Sequence, residues 1–491
     1  MEMPIQLYRA SLALLTDLYQ LTMAYGYWKS GNARKEAVFN LFFRENPFQS
    51  GFSIFCGLSA IIDYLDNFRF EDSDLDYLAG LRGNDQKPLF EPEFLDGLRT
   101  MKLKCDIDAV PEGTVVFAHE PLIRVQGPVV QSQLLETFLL NAVNFQTLIA
   151  TKAARICYAA KDQPVLEFGL RRAQGIDGSL SASRAAYIGG CEGTSNVLAG
   201  KLFGIPVRGT HGHSWVMSFE EELEAFLAYA EALPNNCVVL VDTYDTLEGV
   251  RKAVEVGRRL KESGHQLLGI RLDSGDLAYL SIEARKILDA GGFSSAMIMA
   301  SNDLDEHIIA SLKDQGATIS VWGVGTRLVT GYDQPALGGV YKLTALRRPG
   351  EAWQYKLKLS EQAAKISTPG ILQVRRYLSD DGFIADAIYD LQSSLTGDCT
   401  IVHPLDFTRQ KRIPQGTRSI ELQVPIYRQG QRVYAQPPLT ETRNYARKQL
   451  EQLHPGIRRF VNPHIYPVGI EQSLHDLKTR LILQARSQVA S

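Results

Sequence analysis

Arginine, aspartate and histidine side chains stand at short spacing in two stretches of the sequence. The first stretch, RLDSGD, places Arg271 and Asp273 two residues apart, on the same side of an extended chain, with Asp276 in the next turn. An arginine fork binds a carboxylate through two parallel hydrogen bonds, while a nearby carboxylate can hold a hydroxyl group or Mg²⁺. The stretch therefore indicates an anion site, and a structural Arg–Asp pair is the alternative.

The second stretch, GTHGHSW, carries His211 and His213, which an extended chain presents on one face. Such a pair could begin a metal site. The remaining ligands are missing, because His265 precedes its predicted strand and His307 starts a predicted helix. A histidine next to Thr210 could instead act as a nucleophile or general base, and a hydrogen-bonded structural histidine is the other alternative.

Residues that could donate hydrogen bonds to a phosphate group follow two apolar runs. VWGVGT ends in Gly323, Gly325 and Thr326, and ASND supplies Ser301 and Asn302. Late strands of α/β barrels often end in glycine turns whose backbone N–H groups bind phosphate. The pattern predicts a phosphate-binding edge, although a GxG pair is equally typical of a tight turn.

Seven apolar runs in the middle of the chain must position these side chains. They cover 164–172, 205–215, 236–246, 266–276, 296–303, 317–326 and 338–346, and most are separated by amphipathic, helix-length segments. This alternation predicts βαβ units, and its even spacing favours an irregular TIM-like α/β barrel over a doubly wound sheet. Because ligands gather at the carboxyl ends of barrel strands, polar residues there, including Glu167, Asp242 and Thr243, should lie together.

The two ends of the chain differ from its middle. Residues 1–130 mix helices with antiparallel-looking strands, and residues 346–491 contain the hairpin-like run GILQVRRYLSDDGFIADAIYD. We therefore predict a barrel domain over 131–345 and a second α+β domain assembled from the N- and C-terminal parts. A length of 491 residues agrees with two units, because it exceeds what one hydrophobic core usually supports.

Composition narrows the range of partners. The chain has 52 Lys and Arg against 55 Asp and Glu, so it lacks the basic excess typical of nucleic-acid binding. We find no export signal and no apolar run long enough to span a bilayer. The six cysteines show no CxxC spacing, and Leu202 stands where a P-loop requires Ser or Thr. We expect a cytoplasmic protein with reduced thiols and without nucleic-acid or membrane partners.

Taken together, the motifs resemble those of the nicotinate phosphoribosyltransferases, a type II phosphoribosyltransferase family. The matching strings run in order along nearly the whole chain: TDLYQLTMAYGYW, EFGLRRAQG, GGCEGTSNVLAG, GTHGHSW, LVDTYDT, GIRLDSGDL, ASND, GVGTRLVT and NPHIYPV. The resemblance implies ATP-dependent transfer of a phosphoribosyl group from 5-phosphoribosyl 1-pyrophosphate to nicotinate, giving nicotinate mononucleotide in NAD biosynthesis. It also implies Mg²⁺, ATP as co-substrate, and a homodimer in which the N-terminal tyrosine segment completes the site of the other subunit.

The resemblance also implies roles for single residues. His213 matches a histidine that ATP phosphorylates transiently. Residue chemistry adds the second catalytic candidate, Asp273, because Asp273 or Asp276 could bind the ribose hydroxyls. The nicotinate contacts are Tyr19, Phe168, Thr210 and Arg271. Thr326 matches a phosphoribosyl contact, and the chemistry of the strand ends adds Arg171, Ser301, Asn302, Gly323 and Gly325. No residue is assigned to Mg²⁺.

Two rival functions are weighed against this one. The sister nicotinamide enzyme carries an aspartate in a GTDT segment, whereas this chain reads GTSN with Ser195 at that place. An aspartate would repel a carboxylate, so Ser195 favours nicotinate over nicotinamide. A catalytically inactive barrel that serves as a binding or structural protein should have lost His213, Arg271 or Asp273, and all three are present.

Overall fold

The computed structural model describes residues 11–362, 365–393, 395 and 397–490. Its helices are, in chain order, α1 Leu18–Lys29, α2 Leu58–Asp66, α3 Asp72–Gly80, α4 Pro92–Arg99, α5 Val129–Leu134, α6 Glu136–Ala160, α7 Gly175–Ile188, α8 Val197–Phe203, α9 His213–Met217, α10 Glu222–Ala232, α11 Thr246–Glu262, α12 Leu277–Ala290, α13 Glu306–Asp314, α14 Thr326–Val329, α15 Leu439–Glu451 and α16 Gln472–Ala490. None of the helices in this part of the chain has the length and apolar character that a bilayer crossing requires.

The strands are, in chain order, β1 Glu36–Phe43, β2 Ser53–Ile54, β3 Asp106–Ala109, β4 Val115–Val116, β5 Ile123–Pro128, β6 Val165–Glu167, β7 Gly193–Thr194, β8 Val238–Leu240, β9 Gly269–Leu272, β10 Met297–Asn302, β11 Val321–Val324, β12 Gly339–Arg347, β13 Gln354–Tyr355, β14 Leu372–Ser379, β15 Gly382–Asp390, β16 Cys399–Val402, β17 Gln410–Ile413, β18 Ser419–Glu421, β19 Val424–Arg428, β20 Gln431–Arg432 and β21 Val468–Glu471.

The chain divides into two compact units. The first, which we call the barrel unit, comprises Leu148–Pro335 and Leu439–Arg447. The second, which we call the end unit, comprises the described residues up to Thr147, then Ala336–Pro438, and those from Lys448 onward. The end unit thus joins the N- and C-terminal parts of the chain, as predicted.

The end unit contains two large sheets. One is antiparallel and has the order β13-β12-β1-β5-β3-β19-β20, and the other has the order β17-β16-β21-β15-β14-β18, with only β15 and β21 parallel. The predicted barrel strand over 338–346 is β12, which pairs antiparallel with β1. Its assignment to the barrel was wrong, because a partner about 300 residues earlier leaves no local trace in the sequence.

The barrel unit is built on a parallel sheet with the order β7-β6-β11-β10-β9-β8. Strands β8, β9, β10 and β11 are followed by helices α11, α12, α13 and α14, which gives the βαβ repeat predicted from the sequence. The strands are almost wholly buried, with Ile270 and Leu272 of β9 at 0% exposure. Burial on both faces explains why their sequences lack polar alternation.

The segment 205–211 closes the gap between β7 and β8 without forming a strand. On one side Val207 bridges to Thr194 of β7, with Arg208 N donating to Thr194 O over 3.0 Å. On the other side Leu240 N of β8 donates to Nε2 of His211 over 3.1 Å, so a side chain replaces the backbone ladder. The predicted strand over 205–215 was therefore wrong, since a proline at 206 cannot donate to a ladder and α9 begins at His213.

Candidate active site

The guanidinium of Arg271 gathers three partners at the carboxyl end of β9. Its Nε donates to Ser301 Oγ over 2.7 Å, its Nη1 to Thr210 Oγ1 over 3.1 Å, and its Nη2 to Asp273 Oδ1 over 2.7 Å. The Ser301 hydroxyl also donates to Asp273 Oδ1. The Arg271 side chain is only 14% exposed, so these contacts fix its orientation. Four predicted site residues, from two strand ends and the segment 205–211, thus lie together.

Asp273 is held in its ionised form. Burial raises the pKa of its carboxyl group, but the hydrogen bond from Ser301 and the charge of Arg271 outweigh burial and leave the pKa below its ordinary value. The structural Arg–Asp pair considered as an alternative is present. The pair uses only one oxygen of the Asp273 carboxylate. The other oxygen, Oδ2, lies 3.7 Å from His213 Nε2.

His213 is the first residue of α9, and its side chain is 39% exposed. Its Nδ1 lies 3.2 Å from Thr243 Oγ1, and its Nε2 lies 4.0 Å from Asp242 Oδ1. His211 faces the other way, toward β8, and burial lowers its pKa. The expectation that the two histidines share one face of a strand was therefore wrong, and they cannot act as a ligand pair.

Asp242 lies close to His213, and its carboxylate links the end of β8 to the end of β9. Its Oδ2 accepts hydrogen bonds from Asp273 N and Ser274 Oγ, both over 2.7 Å. Its side chain is 1% exposed, yet Oδ1 has no hydrogen-bond partner among the described residues. Sequence reasoning noted Asp242 and Thr243 as polar strand ends but assigned them no function.

Phe168 follows β6 and packs on the glycine turn after β11. Its N donates to Val324 O over 2.8 Å, and the Arg271 guanidinium lies 5.8 Å from the ring centroid. A Cβ atom at Gly323 would lie 2.7 Å from Cδ2 of Phe168, which is too close. A Cβ atom at Gly325 would lie 3.2 Å from Phe168 O. Glycine at these two positions therefore leaves room for the Phe168 segment, which packs closely against them. The phosphate role predicted from the sequence did not include this packing.

A fully buried carboxylate holds the loops on either side of this ring. Glu167 accepts hydrogen bonds from Gly169 N, from Ser183 Oγ over 2.8 Å and from Thr194 Oγ1 over 2.6 Å. Thr194 Oγ1 accepts in turn from Asn196 N over 2.9 Å. We call Glu167, Ser183, Thr194 and Asn196 the Glu167 network. Sequence reasoning missed it, because Ser183 lies inside α7 and nothing in the sequence links it to a strand end.

An ion pair joins the two predicted phosphate-binding turns. Arg327 Nη1 lies 2.5 Å from Asp305 Oδ2, which connects the segment after β10 to α14. Burial raises the pKa of Asp305, but a backbone hydrogen bond from Ile308 and the Arg327 guanidinium lower it overall. Thr326 begins α14 next to this pair. Sequence reasoning did not identify either partner.

The other predicted residues are less closely held. Arg171 is exposed in a 3₁₀ turn over Leu170–Arg172, and Asn302 is exposed at the end of β10 with a φ of 154°. Asp276 caps α12, since its Oδ1 accepts from two backbone N–H groups over 3.1 Å each. Tyr19 belongs to α1 of the end unit and is 47% exposed.

No group of three or more His, Cys, Asp or Glu side chains that could hold a metal ion occurs within the described ranges.

Family profiles match the chain over three segments. The description "Nicotinate phosphoribosyltransferase (NAPRTase) family" matches residues 164–367, the N-terminal domain of that family matches 14–144, and its C-terminal domain matches 373–478. The middle match contains all the strand ends described above.

Individual relatives agree with the profiles. The chain is 44% identical to "Nicotinate phosphoribosyltransferase" of Bacillus subtilis, covering 98% of this chain and 97% of the relative. It is 39% identical to "Nicotinate phosphoribosyltransferase 2" of Arabidopsis thaliana, covering 94% and 93%. Among solved structures, human nicotinic acid phosphoribosyltransferase superposes with a TM-score of 0.83 at 33% identity, covering 95% of this chain and 99% of that one.

Proposed function

The chain belongs to the nicotinate phosphoribosyltransferase family, and on that premise we propose that it transfers the phosphoribosyl group of 5-phosphoribosyl 1-pyrophosphate to nicotinate in NAD biosynthesis, coupled to ATP hydrolysis. The observation that carries the proposal is the setting of Arg271. A nearly buried guanidinium lies beside the ring of Phe168 and at the end of a barrel strand, where an aromatic carboxylate would be bound.

Arg271 retains donors for a substrate. A guanidinium group has five N–H donors, and three of them serve Ser301, Thr210 and Asp273. The remaining two can meet the carboxylate of nicotinate, while Phe168 contacts the pyridine ring. Because three bonds already hold the guanidinium, little rotamer freedom is lost when the substrate binds.

Transfer exchanges one bond at the ribose. The pyridine nitrogen forms a bond to C1 of the phosphoribosyl group, and the bond from C1 to the pyrophosphate oxygen breaks with its electron pair. Pyrophosphate leaves, and nicotinate mononucleotide remains. The ionised Asp273 stabilises the positive charge that develops on the sugar and accepts from its hydroxyl groups. Ser301, Asn302, Thr326 and the backbone of the glycine turn hold the 5′-phosphate.

His213 is the proposed acceptor of the ATP γ-phosphoryl group. A proton on Nδ1 donated to Thr243 Oγ1 leaves the lone pair on Nε2. Nε2 forms a bond to the γ-phosphorus, the β–γ bridging bond breaks, and ADP leaves. The phosphorylated imidazole carries a dianionic group beside Asp273, so its formation and hydrolysis change the affinity for the pyrophosphate group.

Mg²⁺ fits the residues around His213. Asp242 Oδ1 lacks a hydrogen-bond partner among the described residues, and Asp273 Oδ2 approaches the same imidazole nitrogen. One or two carboxylates with substrate phosphates are the usual protein ligands of this ion. Asp242 and Asp273 would hold it, and when bound it would neutralise charge on the pyrophosphate.

The proposal includes a homodimer in a cytoplasmic setting, as the family resemblance implies. Tyr19 would complete the nicotinate site of the other subunit, and its 47% exposure leaves it available for such a contact.

The decisive experiment measures mononucleotide formation from nicotinate and from nicotinamide, each with and without ATP. We expect nicotinate to be preferred and ATP to increase the rate. A preference for nicotinamide would show that Ser195 does not set the choice of base. Calorimetric titration with nicotinate and with 5-phosphoribosyl 1-pyrophosphate tests the non-catalytic alternative, which predicts binding of neither.

A further inference from the structure

Two cavities of the end unit share the wall residues His119, Pro404 and Leu405. The larger, which we call the histidine cavity, has a volume of about 200 Å³ and is also lined by His403 and His464. The smaller, of about 20 Å³, contains the side chains of Lys478 and Thr368. Neither cavity has an Asp or Glu among its lining residues, and none of these residues belongs to the candidate active site.

Lys478, in α16, supplies a positive charge at this place. Its Nζ donates to Thr368 Oγ1 over 3.2 Å, and burial lowers its pKa to about 8. It is therefore mostly charged at neutral pH. No carboxylate pairs with it within the described part of the chain. A buried ammonium group without a counter-ion is unfavourable, and an anion would relieve that penalty.

His119 lines both cavities, and the charge of Lys478 acts on its imidazole. Burial and then the charge of Lys478 lower the pKa of His119 to about 4. Its imidazole is therefore neutral at physiological pH and can donate one N–H group. The residue also has a φ of 72°, and its backbone N donates to Phe43 O over 2.7 Å, which fixes its position at the shared wall.

Two further donors of the histidine cavity are oriented by contacts within the protein. His403 Nδ1 accepts from Leu405 N over 3.2 Å and from Asp406 N over 3.0 Å, so the imidazole proton resides on Nε2. Asn46 Oδ1 accepts from Ser53 Oγ over 3.2 Å, which leaves the amide NH₂ group as a donor. Both residues line the cavity.

We propose that the histidine cavity is a second anion site, which binds a phosphate-sized tetrahedral oxyanion through His119, His403 and Asn46 beside the charge of Lys478. The occupant is free phosphate or the phosphoryl group of a small metabolite. Neutral N–H donors around one buried charge suit a polyvalent oxyanion. Among the described residues, no group of three or more His, Cys, Asp or Glu side chains is placed to hold a metal ion instead.

The test follows the imidazole signals of histidine-labelled full-length protein by NMR. Inorganic phosphate, adenosine monophosphate and sodium chloride are titrated separately at constant ionic strength. The His403 signal is assigned by its loss in His403→Asn, whose Oδ1 can still accept from the two backbone N–H groups. We expect phosphate to shift the His119 and His403 signals saturably, and chloride to leave them unchanged. A matching shift with adenosine monophosphate identifies a phosphoryl metabolite as the occupant, and its failure to shift them identifies free phosphate.

Lys478→Met removes the charge with little change in volume, and we expect it to weaken phosphate binding at this site by about tenfold. Lys411→Met is the matched control, because Lys411 is a half-buried lysine of the same unit that donates to Ile384 O over 3.0 Å and lines neither cavity. Absence of a saturable shift, or equal affinity in the Lys478→Met and Lys411→Met variants, would overturn the proposal. If Lys478→Met does not fold, the His403→Asn variant is used instead. Loss of the phosphate-induced His119 shift in this variant would support the proposal, and an unchanged shift would overturn it.

Discussion

Arg271 Nη2 lies 2.7 Å from Asp273 Oδ1, and both residues bond to the hydroxyl group of Ser301. The two side chains leave the same side of the end of β9, as their spacing in the sequence requires. The ion pair and the anion site that the sequence presented as alternatives are therefore compatible. The pair orients the guanidinium, and the guanidinium keeps two donors for a ligand.

Replacing Arg271 by lysine should weaken nicotinate binding. Lysine retains the charge but loses the planar fork, so we expect KM for nicotinate to rise by about 10- to 100-fold. The change is measured from initial rates at saturating 5-phosphoribosyl 1-pyrophosphate. Arg259→Lys is the control, since Arg259 forms only an exposed helical pair with Glu255. Equal KM values in the two variants would contradict the role of Arg271.

Substituting His213 should separate transfer from ATP hydrolysis. In His213→Ala no Nε2 is present to accept the γ-phosphoryl group, so ATP should no longer increase the rate, while a basal transfer rate persists. The measurement compares rates with and without ATP, together with acid-labile incorporation of labelled phosphate. His265→Ala is the control, because His265 bonds to Asn235 at the surface. ATP stimulation that survives in His213→Ala would remove this residue from the mechanism.

Ser195→Asp should change the choice of base. A carboxylate at this position would repel nicotinate, and we expect the ratio of kcat/KM for nicotinate over nicotinamide to fall by at least about tenfold. Ser195→Asn has a similar size without the charge and should lower the ratio much less. An equal fall in both variants would show that volume, and not charge, determines the preference.

Glu167→Gln should loosen the loops around Phe168. A glutamine amide cannot accept all three hydrogen bonds that the carboxylate accepts, so we expect a loss of about 1–3 kcal/mol in the free energy of unfolding. KM for nicotinate should rise as well, because the Phe168 segment is no longer fixed. Denaturant unfolding and steady-state kinetics check both effects. Glu192→Gln, at an exposed position nearby, should change neither quantity.

Stability should depend on pH through Asp273. Its folded-state pKa lies below the ordinary value, so its stabilising contribution is present above the ordinary pKa and is lost as the pH falls through the folded pKa. In Asp273→Asn this dependence is absent. The difference in unfolding free energy between the two proteins should therefore shrink as the pH falls below about 4. Parallel stability curves would contradict the assignment.

Much of the candidate site could be predicted from the sequence, because parallel strands bring their carboxyl ends to one edge. This rule alone places Arg271, Ser301 and Phe168 together. The rest depends on contacts that no local pattern records. The partner of β12 lies about 300 residues away in the chain. The Glu167 network joins a strand end to the interior of α7, and an apolar run over 205–215 does not reveal that a histidine side chain replaces its hydrogen-bond ladder.

The irregular closure of the barrel has a mechanical consequence. His211 links the segment 205–211 to β8, and His213, two residues later, is the proposed phosphoryl acceptor. A regular ladder would hold the segment 205–211 through many backbone bonds, whereas a backbone bridge, the His211 imidazole and the bond from Arg271 to Thr210 hold it here. We therefore expect a displacement of this segment to move the proposed phosphoryl acceptor with it, which would link the rigidity of the barrel closure to the alignment of His213.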